Sequence, residues 1–197
     1  MLAIKRILPV FLLMLLCSTA LLAQQNHRSG FVPDYYKVQY AGNIGFVAVG
    51  AGYNNHRKTL EGDFFYGYVP KSVGGDYIHT LTSKLNYQPF LIKLHKTEIR
   101  PAYVGIMVSY TFGKQYFGFT PDKYPYDYYK FPTSLHIGAQ VGAQINRTLS
   151  GKHFFKKVGL YGEFTSYDAE VLSYVNNAKS LAFTDILSLG IGLRVQH

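Results

Sequence analysis

Two groups of side chains in this sequence are of types that could do chemistry. The first is a hydroxyl set beside carboxylates: GEFTSYDAE places Glu163, Thr165, Ser166 and Glu170 close together. A serine hydroxyl becomes a nucleophile only with a base in hydrogen-bonding reach, and this stretch holds no histidine. His136 is the residue that could be recruited to Ser166 if the chain closes on itself, but a lone histidine on a polar face is more often a structural hydrogen-bonding group. His56, His79, His95 and His153 are scattered without ligand spacing, and Cys17 is the only cysteine, so no metal site, cofactor or catalytic residue is expected. The second group consists of isolated charges and amides on otherwise apolar alternating stretches: Asp63, Lys84, His136, Gln140, Glu163 and Arg194. Charges of this kind, turned into a dry interior, must pair with one another. The chemistry they suggest is a salt-bridged polar network.

The elements that would position them alternate with period two. In HIGAQVGAQIN, Ile137, Ala139, Val141, Ala143 and Ile145 share one face, and His136, Gly138, Gln140, Gly142, Gln144 and Asn146 share the other. The same pattern runs through 34–41, 60–69, 78–92, 101–113, 158–167 and 185–196, and the stretch at 43–54 is strand-like but small and Gly-rich on both sides, which leaves its facing open. Most of these reach the 9 to 11 residues that a tilted membrane-spanning strand needs, against about 5 to 6 in soluble proteins. Charged residues are 16% of the chain, where roughly 25% is ordinary. The apolar face is therefore expected to meet lipid and the polar face a lumen.

The first residues support export. MLAIKRILPVFLLMLLCSTALLAQQ has a basic start at Lys5 and Arg6, an apolar run and small residues ending at Ala23, the layout of a signal peptide cut after Ala23. Its removal takes the formal charge from +9 to +7 and leaves no cysteine. The expected organisation is a signal peptide at 1–23, a tail at 24–33 and one domain at 34–197. That domain is expected to be all-β, an eight-stranded antiparallel up-and-down transmembrane β-barrel with both ends of the domain in the periplasm. On this reading Asp63 and Lys84 lie opposite one another, Glu163 comes level with Gln140 about a turn near Gly151, and Arg194 points inward. Eight strands enclose a space that side chains fill, so the lumen is expected to be plugged.

The connections divide by charge. The expected periplasmic turns carry Arg57, Lys58, Lys93, Lys96, Arg100, Arg147, Lys152, Lys156 and Lys157, while the outer loops are near neutral. Basic turns suit anionic headgroups. Nucleic acid is not an expected partner of an exported, membrane-embedded chain. The outer loop at 114–133 is rich in tyrosine and phenylalanine, including Tyr116, Phe117, Phe119, Tyr124, Tyr126, Tyr128 and Tyr129, with Pro121, Pro125 and Pro132 restraining it. Such rings offer rigid contact area for a surface glycan or a protein partner, and some would also serve the interfacial aromatic girdle.

In architecture and pattern, over nearly all of residues 34–197, the chain resembles the small eight-stranded outer-membrane barrels of Gram-negative bacteria, the OmpX and OmpA-barrel type. LLAQQ and the Tyr-rich strands are similar to exported barrels of the Bacteroidota. Such barrels commonly end in an aromatic residue, and this sequence ends LRVQH. Lipid A deacylases, a second family of similar size, carry a late His-x-Ser motif. Here the only His-x-Ser is His27 with Ser29. The resemblance to small barrels implies a non-enzymatic protein of the outer membrane in contact with its lipids. An outer-leaflet lipid-modifying enzyme and a barrel subunit of a larger transport or secretion assembly remain the alternatives.

Overall fold

The computed structural model describes residues 32–113, 116, 133–151 and 154–197. The 1–23 leader, most of the 24–33 tail and most of the 114–133 loop, including Phe117, Phe119, Tyr124, Tyr126, Tyr128 and Tyr129, lie outside the described residues.

The chain forms a closed antiparallel barrel. Its eight wall strands are β1 (Tyr35–Ala41), β2 (Val47–Asn54), β3 (Leu60–Val69), β4 (Ile78–Tyr87), β6 (Thr97–Phe112), β7 (Leu135–Thr148), β8 (Lys157–Tyr167) and β9 (Ser188–Gln196). Sequential neighbours pair, β4 pairs with β6, and β1 pairs with β9 to close the ring. Asp34 and His197 meet at one end, where the His197 N–H donates to the Asp34 carbonyl at 3.3 Å. That end is called lower here.

Two departures from plain alternation shape the lower rim. The stretch at 78–92 is not one strand: β4 stops at Tyr87, Pro89 follows, and the chain resumes as the short β5 (Ile92–Leu94) paired to the start of β6. Proline removes a ladder donor, which breaks the run. Strand β6 then carries a bulge between Arg100 and Tyr103. The bulge shifts the inward parity, so that Arg100 below it and Tyr103, Met107 and Ser109 above it are all buried.

At the upper end the 168–180 segment contains α1 (Asp168–Asn176), followed by a 3-10 turn at Phe183–Ile186. Among the described residues no helix is long and apolar enough to cross a membrane.

The two faces of the wall differ sharply. Outward positions carry exposed apolar side chains such as Val49, Phe64, Leu85, Ile106, Ile137 and Leu193. Above the β6 bulge no described outward strand position holds Asp, Glu, Lys or Arg; Arg147 sits at the lower tip of β7. Ring contacts lie above and below this band. Upper pairs include Tyr40 with Phe46 at 5.1 Å, Tyr66 with His79 at 5.8 Å and Tyr110 with Phe112 at 5.0 Å. Lower ones gather around His197, with Tyr36 at 5.7 Å and Phe154 at 4.9 Å. Along β4, His79 to Tyr87 spans about 26 Å of strand, or roughly 20 Å of height for a tilt near 40°.

Candidate functional site

The lumen is where the buried polar residues converge. Its middle is built from side chains that alternate inward on β1, β3, β4 and β8. Lys37 lies 2.9 Å from Asp63 Oδ2 and 3.5 Å from Glu61 Oε2. Asp63 also accepts hydrogen bonds from Tyr35 OH at 2.7 Å and Asn86 Nδ2 at 2.9 Å. Gln140 Nε2 donates to Asn86 Oδ1 at 2.8 Å, which carries the network onto β7. Lys84 is ion-paired with Glu163 and donates to Gln39 Oε1 at 3.3 Å. Glu163 takes a further bond from Tyr103 OH at 2.9 Å, and Tyr161 OH donates to Gln39 at 3.1 Å. Each carboxylate is met by at least one cation, which is what allows it to stay charged in a low-dielectric interior.

Below this layer Arg194 pairs with Glu61, lies 3.7 Å over the Tyr35 ring, and donates to Gln144 Oε1 at 2.9 Å. Gln144 Nε2 in turn donates to Gln88 Oε1 at 2.5 Å, and Arg100 Nη1 reaches the Gln88 carbonyl at 3.3 Å. At the rim, Lys157 Nζ meets Glu98 Oε1 at 2.6 Å. Partial burial acts to raise the Glu98 carboxyl, but the Lys157 hydrogen bond and charge, with Lys58 and Lys93 nearby, outweigh it and hold the group below its ordinary value.

The upper lumen combines a small apolar cluster with buried hydroxyls, Thr82 Oγ1 and Ser109 Oγ lying 2.8 Å apart. The turn between β1 and β2 folds inward and buries Ile44 against Ala48, Phe65 and Met107, with Tyr167 packed beside them. Thr80 Oγ1 donates to the Ile44 carbonyl, and Gly67 is what lets that carbonyl approach: a Cβ there would collide with it. Above this cap, Tyr167 OH donates to the Asn43 carbonyl at 3.0 Å and Asn43 Nδ2 to Glu170 at 2.8 Å.

The placement of the expected site residues is mixed. Asp63 and Lys84 are direct cross-strand partners, though each bonds elsewhere: Asp63 to Lys37, and Lys84 to Glu163. Glu163 lies opposite Gly142, and Gln140 opposite Thr165, two residues from the expected register, because the 149–156 turn is centred one residue further on. Arg194 is buried in the lumen. His136 is not part of the network. It stands at the upper mouth, its Nδ1 3.0 Å from Asp168 Oδ1 and its ring stacked on Tyr167 at 5.3 Å. Glu163, Ser166 and His136 do not converge. Glu163 points into the lumen, Ser166 is on the opposite parity of β8, and His136 is at the mouth. Among the described residues no group of three or more His, Cys, Asp or Glu side chains is placed to hold a metal ion. Tyr116 is described only through its N–H, which donates to the Gly113 carbonyl at 3.2 Å.

Sequence reasoning left the lumenal tyrosines out of the network and missed their seats. Tyr35, Tyr103 and Tyr161 each pair across strands with a glycine, respectively Gly52, Gly142 and Gly192, and each ring occupies the place of the missing Cβ. The available signal was a tyrosine on the polar parity facing a glycine on the next strand, a pairing by which rings cover bare backbone. No protein-family model matches the chain, and neither does any curated protein.

Proposed function

We propose that this protein is a non-enzymatic outer-membrane barrel with a plugged lumen, serving structure and recognition at its upper mouth. One conjunction carries the reading. The wall is apolar and uncharged between two levels of aromatic contacts, while every carboxylate it hides is paired with a cation inside. A soluble barrel would reverse that arrangement, and an open pore would leave the middle of the lumen wet. The lower end then faces the periplasm, where Arg57, Lys58, Lys93 and Lys96 suit anionic headgroups. The leader at 1–23 accounts for export. At the other end the aromatic loop at 114–133 contacts a surface glycan or a protein partner.

The test combines heat-modifiable gel mobility, planar-bilayer conductance and mass spectrometry of lipid A from cells with and without the protein. The expected result is a mobility shift on boiling, no steady conductance and unchanged lipid A. A lost acyl chain or a new substituent on lipid A would replace this reading with a lipid-modifying enzyme. Absence of any mobility shift would remove the barrel's membrane role.

A further inference from the structure

Among the described residues the lumen buries one more cation than it buries anions. Lys37, Lys84, Arg100 and Arg194 are buried there with Glu61, Asp63 and Glu163. The three carboxylates are taken up by Lys37, Lys84 and Arg194. Arg100 has no ion pair of its own among these residues, although the charges of Glu61 and Glu98 act on it from further off. It is 5% exposed, has no carboxylate within ion-pairing distance among the described residues, and makes one long hydrogen bond to the Gln88 carbonyl. The carboxylate at the same rim, Glu98, is already occupied by Lys157.

The neighbourhood of Arg100 is unusual in a second, independent way. Arg194, 4% exposed, keeps its Nε without a hydrogen-bond partner. The two arginines are brought to the same place by one amide: Gln144 is the cross-strand partner of Arg100 and accepts the bond from Arg194. The β6 bulge is what turns Arg100 inward at this level, and bulges recur where a strand must re-aim a side chain. Outside, Lys58, Lys93 and Lys157 stand around Glu98, so the approach to the mouth is electropositive and draws in negative solutes.

We propose that the lower mouth of the lumen binds a singly charged oxyanion, of carboxylate or phosphate chemistry, between the Arg100 guanidinium and Arg194 Nε. The planar fork of Arg100 matches two oxygens of such a group, and one negative charge completes the neutrality of the interior. Carboxylate and phosphate share this chemistry, and the probes below separate them. The inference rests on the plugged-barrel reading, which the mobility shift of the untreated protein tests separately.

The experiment is a thermal titration of the purified full-length barrel in zwitterionic detergent, scoring the loss of the folded gel band. Sodium acetate, inorganic phosphate and sodium chloride are varied at constant ionic strength. Saturable stabilisation by acetate or phosphate, with chloride ineffective, is expected, by about 2 to 5 °C at a tenfold excess over the dissociation constant. Which of the two saturates first identifies the anion class. In Arg100→Gln the titration should be flat, and its midpoint without added anion should equal or exceed the parent's, because an unmatched buried charge has been removed. In Arg100→Lys, which keeps the charge and loses the fork, binding should weaken about tenfold or more. Equal shifts with all three salts, no saturation in the parent, or an Arg100→Gln protein that still responds would each overturn the site. If Arg100→Gln does not fold, the parent's anion selectivity and Arg100→Lys decide it.

Discussion

At the residue scale the lumen is a set of charges whose partners come from other strands, so a single truncation leaves its counterpart buried and unmatched. Lys84→Met should therefore cost about 3 to 5 kcal/mol by stranding Glu163, while Lys84→Met with Glu163→Met should recover most of that loss. Urea unfolding from detergent micelles, run as a double-mutant cycle, measures both. Gly67→Ala acts by another route. The new Cβ meets the Ile44 carbonyl, drives the upper turn out of the mouth and exposes the Ile44 contacts, a loss of about 2 to 4 kcal/mol expected in the same assay. Glu98 supplies the pH dependence. Its lowered carboxyl contributes stability that is present above the ordinary carboxylate range and lost as the pH falls through its own value. Glu98→Gln should flatten the stability profile below about pH 4 and, because solvent screens the pair, change neutral-pH stability by at most about 1 kcal/mol. Parity alone reveals that Asp63, Lys84, Glu163 and Arg194 turn inward, since an inward charge on an alternating strand has nowhere else to go. It cannot reveal which cation meets which carboxylate. That depends on residues across the lumen, such as Lys37 and Glu61, whose strands are not neighbours of every partner they reach.

At the element scale, β3 runs from Leu60 to Val69 as its alternation alone predicts, and the other wall strands differ from their sequence-derived limits by a few residues. The misreadings share a cause: alternation says which face a residue takes, but not where a ladder ends. Gln88 continues the polar phase of β4, yet Pro89 cannot continue its hydrogen bonds, and the chain turns aside into β5. Arg100 and Tyr103 lie on opposite parities and are both buried, a combination that only an extra residue can produce. Helix α1 has no buried residue of its own, and Val171 and Val175 stay exposed, so packing on the barrel is not what forms it. It is held at its first turn by polar contacts from Asn43 and His136. The Gln140 and Glu163 register slipped because one residue of turn displaces a pairing by two.

At the scale of the whole molecule, the wall and the interior make opposite predictions for the same kind of change. Ile106 faces outward in the uncharged band. Ile106→Lys should cost about 2 to 4 kcal/mol when the barrel is unfolded by denaturant from lipid vesicles, if that band lies in the hydrocarbon, and much less if it meets water. The ring itself closes where β1 meets β9, and the Arg194–Glu61 pair reaches across that seam from β9 to β3, joining residues 133 positions apart. Adjacent hairpins can form from neighbouring sequence, but this contact can exist only once the last strand has arrived. It therefore acts as a latch on the seam, and its worth should appear in time more than in equilibrium. Arg194→Met should hasten opening of the folded barrel while leaving the early hairpin steps of refolding near their parental rate, so the residue that completes the plug also sets how long the barrel stays shut.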